Sequence, residues 1–143
     1  MIRIERFRIS EKPELAEMAF VIRQKVFVDE QQVDPDIEYD EHEEVAVHYL
    51  LFSDDVPVAT ARWRETDRGI KLERFATLKD HRNKGIGNHI LDRVMDDILP
   101  LNKPIYLHSQ VRAISFYERN GFVKEGNIFI EANIQHYRMT HKS

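Results

Sequence analysis

The chain has 143 residues, of which 42% are hydrophobic and 32% charged, with a net charge of −4 and no cysteine. That length suits a single domain, read here as residues 1–143, and a domain of this size buries roughly two thirds of its unfolded surface. The balance excludes a disordered chain, and the absent cysteine excludes disulfides, thiolate catalysis and zinc–cysteine sites.

The acidic net charge argues against a nucleic-acid partner, and no apolar run approaches the ~20 residues of a membrane span. The first ten residues, MIRIERFRIS, lack the apolar centre of a secretory signal. The expectation is a cytoplasmic protein with no membrane partner.

Residues 2–9 read as a first strand. Ser10 offers a cap and Pro13 suits a first helical turn. A helix over 13–27 then sets Leu15, Met18, Ala19, Ile22 and Val26 on one side. Strands follow at 45–52 and 56–65, joined through Ser53-Asp54-Asp55 as a hairpin. After the turn at Asp67-Arg68-Gly69, a strand covers 70–78 and a polar loop 79–84.

A second helix runs over 85–99, with Ile86, Ile90, Leu91, Val94 and Ile98 at the helical period. Pro100 and Pro104 close it. A strand at 105–109, a helix at 112–120 capped by Gly121, and strands at 122–124 and 135–140 complete the chain. The order β-α-β-β-β-α-β-α-β-β, with the first helix read as one piece or two, points to an α/β or α+β sheet flanked by helices.

Between Asp29 and Glu44 lie nine acidic residues and no Lys or Arg. They form either a solvated loop or a wall that attracts a cationic amine.

Arg82-Asn83-Lys84-Gly85-Ile86-Gly87 stands between a strand and an amphipathic helix. A helix start presents unpaired N–H groups and the positive end of the macrodipole. Glycine there lets an anion come close, and Arg82 and Lys84 add charge. A phosphate ester or pyrophosphate over 82–87 is the expectation; incidental glycines at a helix start are the alternative. The residues do not form a P-loop, and Ile90 stands where a dinucleotide fingerprint needs its third glycine. An unrelated nucleotide-phosphate binder stays open at this point.

Arg82-x-x-Gly85-x-Gly87, after the strand Leu72-Glu73-Arg74-Phe75-Ala76-Thr77, resembles the acyl-CoA motif of the GNAT superfamily of N-acetyltransferases. Ala113-Ile114-Ser115-Phe116-Tyr117-Glu118-Arg119-Asn120-Gly121-Phe122 resembles the family's A-x-x-F-Y-x-x-x-G-F signature. Three further segments resemble the bacterial ElaA/YjcF-like subgroup: Val26 to Gln32, His108-Ser109-Gln110, and Glu131-Ala132-x-Ile134-x-His136.

The resemblance implies a twisted, mostly antiparallel mixed sheet, splayed at its middle and flanked by about four helices. It implies acetyl-CoA as cosubstrate and no metal. Phe75, Ala76 and Thr77 would hold the pantetheine arm and thioester, and Arg82, Asn83, Lys84, Gly85, Ile86 and Gly87 the pyrophosphate. Ala113 and Phe116 belong to the second motif's contacts. Gln110 stands where many members have Asn.

Direct transfer from a thioester to an amine needs a neutral amine, a stabilised carbonyl oxygen and a proton for the leaving thiolate. By resemblance, Tyr117 lies near the sulfur, and a phenol stays protonated at neutral pH. A core aromatic is the alternative role. Glu30, His108 and Glu73 are the candidate bases for the amine; as alternatives they are a surface carboxylate, a strand histidine and a partner of Arg74.

The seven histidines show no zinc spacing. A faint calcium pattern at Asp34, Asp36, Glu38 and Asp40 has Tyr39 and Val45 where Gly and Glu are needed. The expected activity is acetyl transfer to the primary amine of a small molecule or peptide. The alternative is a non-catalytic acyl-CoA sensor. Many members of the family pair through sheet edges or helices, so the resemblance leaves monomer and homodimer both open.

Overall fold

A computed structural model describes residues 1–142. Seven strands make one sheet in the order β1-β2-β3-β4-β5-β7-β6. They are β1 (Ile2–Phe7), β2 (Val47–Ser53), β3 (Val56–Thr66), β4 (Gly69–Thr77), β5 (Ile105–Gln110), β6 (Phe122–Glu131) and β7 (Ile134–His141). Every neighbouring pair is antiparallel except β4 with β5, which is parallel. Four α-helices join them: α1 (Pro13–Arg23), α2 (Pro35–Glu38), α3 (Ile86–Ile98) and α4 (Ile114–Glu118).

The sheet holds apolar clusters on both faces. On one, Ile86, Ile90, Leu91, Val94 and Ile98 of α3 cover Tyr49, Leu51, Ala61, Trp63, Leu72 and Leu107. On the other, Ala16, Ala19 and Ile22 of α1, followed by Val26, cover Phe7, Leu50 and Phe52. Each fully buried Leu or Ile contributes roughly 1.5–3 kcal/mol. A hydrogen-bonded chain crosses the first cluster: Trp63 Nε1 donates to Tyr49 Oη at 3.0 Å, which donates to Asp97 at 2.8 Å.

Several expectations shift. The first helix ends as α-helix at Arg23 and continues as a π-helical turn over Gln24–Glu30. Met18 is not in its packed face; it is 39% exposed, and Ala16 is buried instead. The acidic stretch contains α2, capped by Asp34, whose carboxylate accepts from the Asp36 N–H at 2.9 Å. The helix expected at 112–120 is a 3₁₀ turn followed by α4.

The last two strands are longer than the residues suggest. Gly126 (φ +76°) carries the irregularity between Glu125 and Phe129, so β6 runs on past what reads as a break. Ala132 and Asn133, both at positive φ, make the two-residue turn into β7. Asp54 and Asp55 do the same between β2 and β3. Among the described residues no helix is long and apolar enough to cross a membrane.

Candidate active site

β4 and β5 stay paired only where Ile70, Leu72 and their neighbours meet Ile105–Leu107. Two causes separate them beyond that point. Arg74 takes a left-handed φ of +57°, and the β3–β4 register slips between Thr60 and Arg62, which is a bulge. Past Leu107, β5 is held by β7 through His108↔Arg138 and Gln110↔His136. A cavity of about 940 Å³ opens between the parted strands. Phe75, Ala76 and Thr77 line it, on the edge of β4 that has no strand partner.

At one end lies the start of α3. Asn83 (φ +64°) and Gly85 (φ +78°) are both left-handed. Gly85 is the N-cap and supplies no side-chain bond. The first amides of the helix, at Ile86, Gly87 and Asn88, therefore have no partner within it; the first bond inside is His89 N–H to the Gly85 carbonyl at 3.1 Å. A Cβ on Gly85 would meet nothing within 4 Å, and one on Gly87 only the Phe116 ring at 3.5 Å. Open space above unpaired amides fits a phosphate ester. Ile86 turns its side chain into the core, 4% exposed.

Arg82, Arg112 and Arg119 line this end of the cavity, whereas Lys84 lies outside its wall. Arg82 does not stand free. Its Nε donates to the Thr77 carbonyl at 2.9 Å, and its two terminal nitrogens reach Glu30, each at 2.9 Å. Glu30 is also outside the cavity wall.

Tyr117 projects from α4, 9% exposed, among Phe75, Phe116 and Phe122 with ring centroids 6.3, 5.0 and 5.8 Å away. Burial alone pushes its hydroxyl well above the ordinary phenol range. It keeps its proton at neutral pH and can donate it. Ala113 and Phe116 line the same cavity.

The far end carries the titratable groups. His108 Nδ1 lies 3.2 Å from Glu131 Oε1, and His136 Nε2 3.8 Å from Glu131 Oε2. His136 Nδ1 donates to the Ile134 carbonyl at 2.7 Å, which leaves Nε2 facing Glu131. Phe129 packs against both imidazoles, 5.0 and 5.8 Å between centroids. The hydrogen bond to His108 outweighs burial and holds the Glu131 carboxyl below its usual range.

Glu73 is different. Burial would raise it, but Arg62 first, then Arg64 and Lys71, hold it down to about 2. So weak a base cannot deprotonate an ammonium group at neutral pH.

The chain and its fold match known proteins. Residues 11–143 match the family model of the acetyltransferase (GNAT) domain. The chain is 34% identical over 133 residues to the uncharacterised N-acetyltransferase YjcF of Bacillus subtilis (strain 168), covering 92% of this chain and 95% of that protein. The chain belongs to the GNAT family of acetyltransferases. It is accordingly an acyl-CoA-dependent acetyltransferase.

The fold of this GNAT chain is also that of Escherichia coli ElaA, with a TM-score of 0.89, 23% identity, and coverage of 99% and 100% of the two chains. The PaiA N-acetyltransferase of Thermoplasma acidophilum, solved in complex with coenzyme A, shares it with a TM-score of 0.68, 16% identity and coverage of 100% and 99%.

Within the GNAT frame, three of the sequence-derived bases part company. His108 lines the cavity beside Glu131, Glu73 is locked among cations, and Glu30 holds Arg82. Gln110 donates to Gln31 at 2.7 Å and accepts from Arg112 at 3.1 Å, so its amide is already engaged.

The acidic stretch divides: Asp29, Asp34, Asp36, Glu41 and Glu44 are exposed, while three other acids are paired inside. Glu38, Asp40 and Glu43 are answered by Arg23, Arg62 and Arg74: Arg23–Glu38 2.7 Å, Arg23–Glu43 2.7 Å, Arg62–Asp40 2.7 Å and Arg74–Asp40 3.1 Å. Arg23 and Arg62 are 1% and 0% exposed. A guanidinium keeps its charge when buried, and burial is tolerated here because each is paired.

Sequence reasoning assigned no role to Glu131, His136, Arg112 or Arg119. The signal for the first two was in the Glu131-to-His136 segment. Its meaning depended on a hairpin that brings it beside His108.

Proposed function

We propose that this chain transfers the acetyl group of acetyl-CoA to the primary amine of a small molecule or peptide by direct attack. The observation that supports this reading best is the cavity between β4 and β5. It joins a helix start rich in unpaired amides to a buried phenol and a His–Glu pair.

Acetyl-CoA, when bound, supplies an acyl thioester. The amides at Ile86 and Gly87, with Arg112 and Arg119, hold its phosphates. The free edge of β4 at Phe75 to Thr77 guides the arm between the strands, since its outward backbone groups lack a strand partner. His108 takes the proton of the incoming ammonium, and Glu131 orients the ring. The new N–C bond forms as the C–S bond breaks; the Tyr117 hydroxyl gives its proton to the departing sulfur and regains one from the nitrogen, which sheds its second proton on becoming the amide. The sheet and the aromatic residues around Tyr117 keep bulk water from that sulfur.

Steady-state kinetics on an amine panel, following thiol release, test this. His108→Gln should lower kcat by about 10²-fold or more while leaving acetyl-CoA affinity in place. Full activity in that variant would remove His108 as the base.

A further inference from the structure

We infer that the acceptor carries a carboxylate beside its amine, and that Lys71 and Arg64 take that carboxylate at the far end of the cavity. This rests on the transferase reading above.

The register of the sheet places the relevant groups on one face. Arg64 lies opposite Lys71 across β3–β4, and Lys71 lies opposite Tyr106 across β4–β5. His108 is two residues beyond Tyr106 on the same strand, hence on the same face. Lys71 and Arg64 are 14% and 17% exposed and both line the cavity.

Their charges are not fully answered. Arg64 meets Glu73 at 2.8 Å, Lys71 meets it at 3.3 Å, and Arg62 meets the same carboxylate at 3.0 Å. One anion thus serves three cations. Arg62 has Asp40 and Glu43 besides; Lys71 and Arg64 have Glu73 as their carboxylate partner among the described residues. A half-buried pair of cations sharing one carboxylate has room for a second, and a charge-assisted hydrogen bond from Lys or Arg is among the stronger contacts available to it.

The opposite pole is close by. Glu131 is 45% exposed and lines the same cavity, with His108 and His136 on its two oxygens. Lys71 is near enough to contribute to holding Glu131 ionised. A negative pole that attracts an ammonium and a positive pole that binds a carboxylate, lining one cavity on either side of His108 on β5, complement a small zwitterion. A polyamine lacks the group that Lys71 and Arg64 would bind. The acids that would have attracted one, Glu38, Asp40 and Glu43, are spent on Arg23, Arg62 and Arg74.

The test is calorimetry on the protein saturated with CoA. The probes are the N-acetyl derivatives of the twenty common amino acids and, for each, its uncharged carboxamide. At least one acid should bind about tenfold or more tightly than its amide, the size expected of a charge-assisted contact. Lys71→Met should remove that difference while CoA binding is unchanged. If no acid outranks its amide, or if Lys71→Met weakens acid and amide alike, the anchor is wrong. Failure of the wild-type protein to bind CoA at all would instead strike the transferase reading, so the two are separable.

Discussion

Arg82 and Glu30 meet as a two-pronged ion pair, both contacts 2.9 Å, at the mouth of the cavity that holds the α3 amides. Glu30 sits at the end of the π-helical turn and Arg82 just before α3, 52 residues later. Together with the Thr77 carbonyl, Glu30 fixes the guanidinium across the joint between the first helical region and β4. Glu30→Gln should therefore raise the KM for acetyl-CoA about threefold to tenfold, in line with loss of a part-exposed charged pair. It should leave kcat and the pH profile alone. A fall in kcat with unchanged KM would return Glu30 to the role of base.

Tyr117→Phe separates chemistry from packing. The ring stays in its aromatic nest, and burial is the only influence on the hydroxyl, so the melting temperature should hardly move. Loss of a proton donor should cost about 10²-fold in kcat. Acetyl-CoA affinity, read by calorimetry, should be unchanged. Unaltered turnover would make Tyr117 a core aromatic.

The two glycines at α3 should respond in opposite ways. Gly85 has φ +78°, so Gly85→Ala strains the backbone by about 1–2 kcal/mol. Gly87 meets only Phe116 at ordinary contact distance, so Gly87→Ala should stabilise the free protein by up to about 1 kcal/mol through helix propensity. The same methyl narrows the space over the amides, and acetyl-CoA affinity should fall. Thermal melts with and without acetyl-CoA check both. In wild type, ligand at ~100 times its Kd adds about 2.7 kcal/mol, and this gain should shrink in Gly87→Ala.

Acid should loosen the fold through Glu73. Its carboxyl is held at about 2 against an ordinary 4.5, so its contribution to stability is complete above pH 4.5 and is lost as the pH falls from there toward 2. The loss can reach about 3 kcal/mol, because the unfolded chain binds the proton first. Denaturant titrations across that range should show the slope, and Glu73→Gln should reduce it, leaving the part carried by Asp40, Glu43 and Glu131, whose carboxyls are also held low. Glu73→Gln should also be less stable than wild type at pH 7, since it leaves Arg62, Arg64 and Lys71 without their shared anion.

Sequence alone determined the elements with a strong period, because a repeat of 3.6 or of 2 is a local property of the chain. Ile86, Ile90, Leu91, Val94 and Ile98 define the buried face of α3, and all five are in the core. The order of strands and helices was legible for the same reason, and Gly85 and Gly87 after Arg82 marked the anion-ready helix start. What local pattern could not supply was anything created by distance in sequence. The exposed β6 lacks alternation because little covers it, and it runs to Glu131, past the expected end at 124, through a register shift around Gly126.

Glu38, Asp40 and Glu43 read like the exposed acids around them until Arg23 and Arg62, buried and drawn from other elements, are seen to pair with them. The ranking of the candidate bases came only with the tertiary structure. Two carboxylates alike in isolation become a clamp at Glu30 and a locked anion at Glu73, while His108 becomes a paired imidazole. A side chain's proton affinity is set by the charges that folding brings within a few ångströms, as Arg62 on the neighbouring strand does for Glu73.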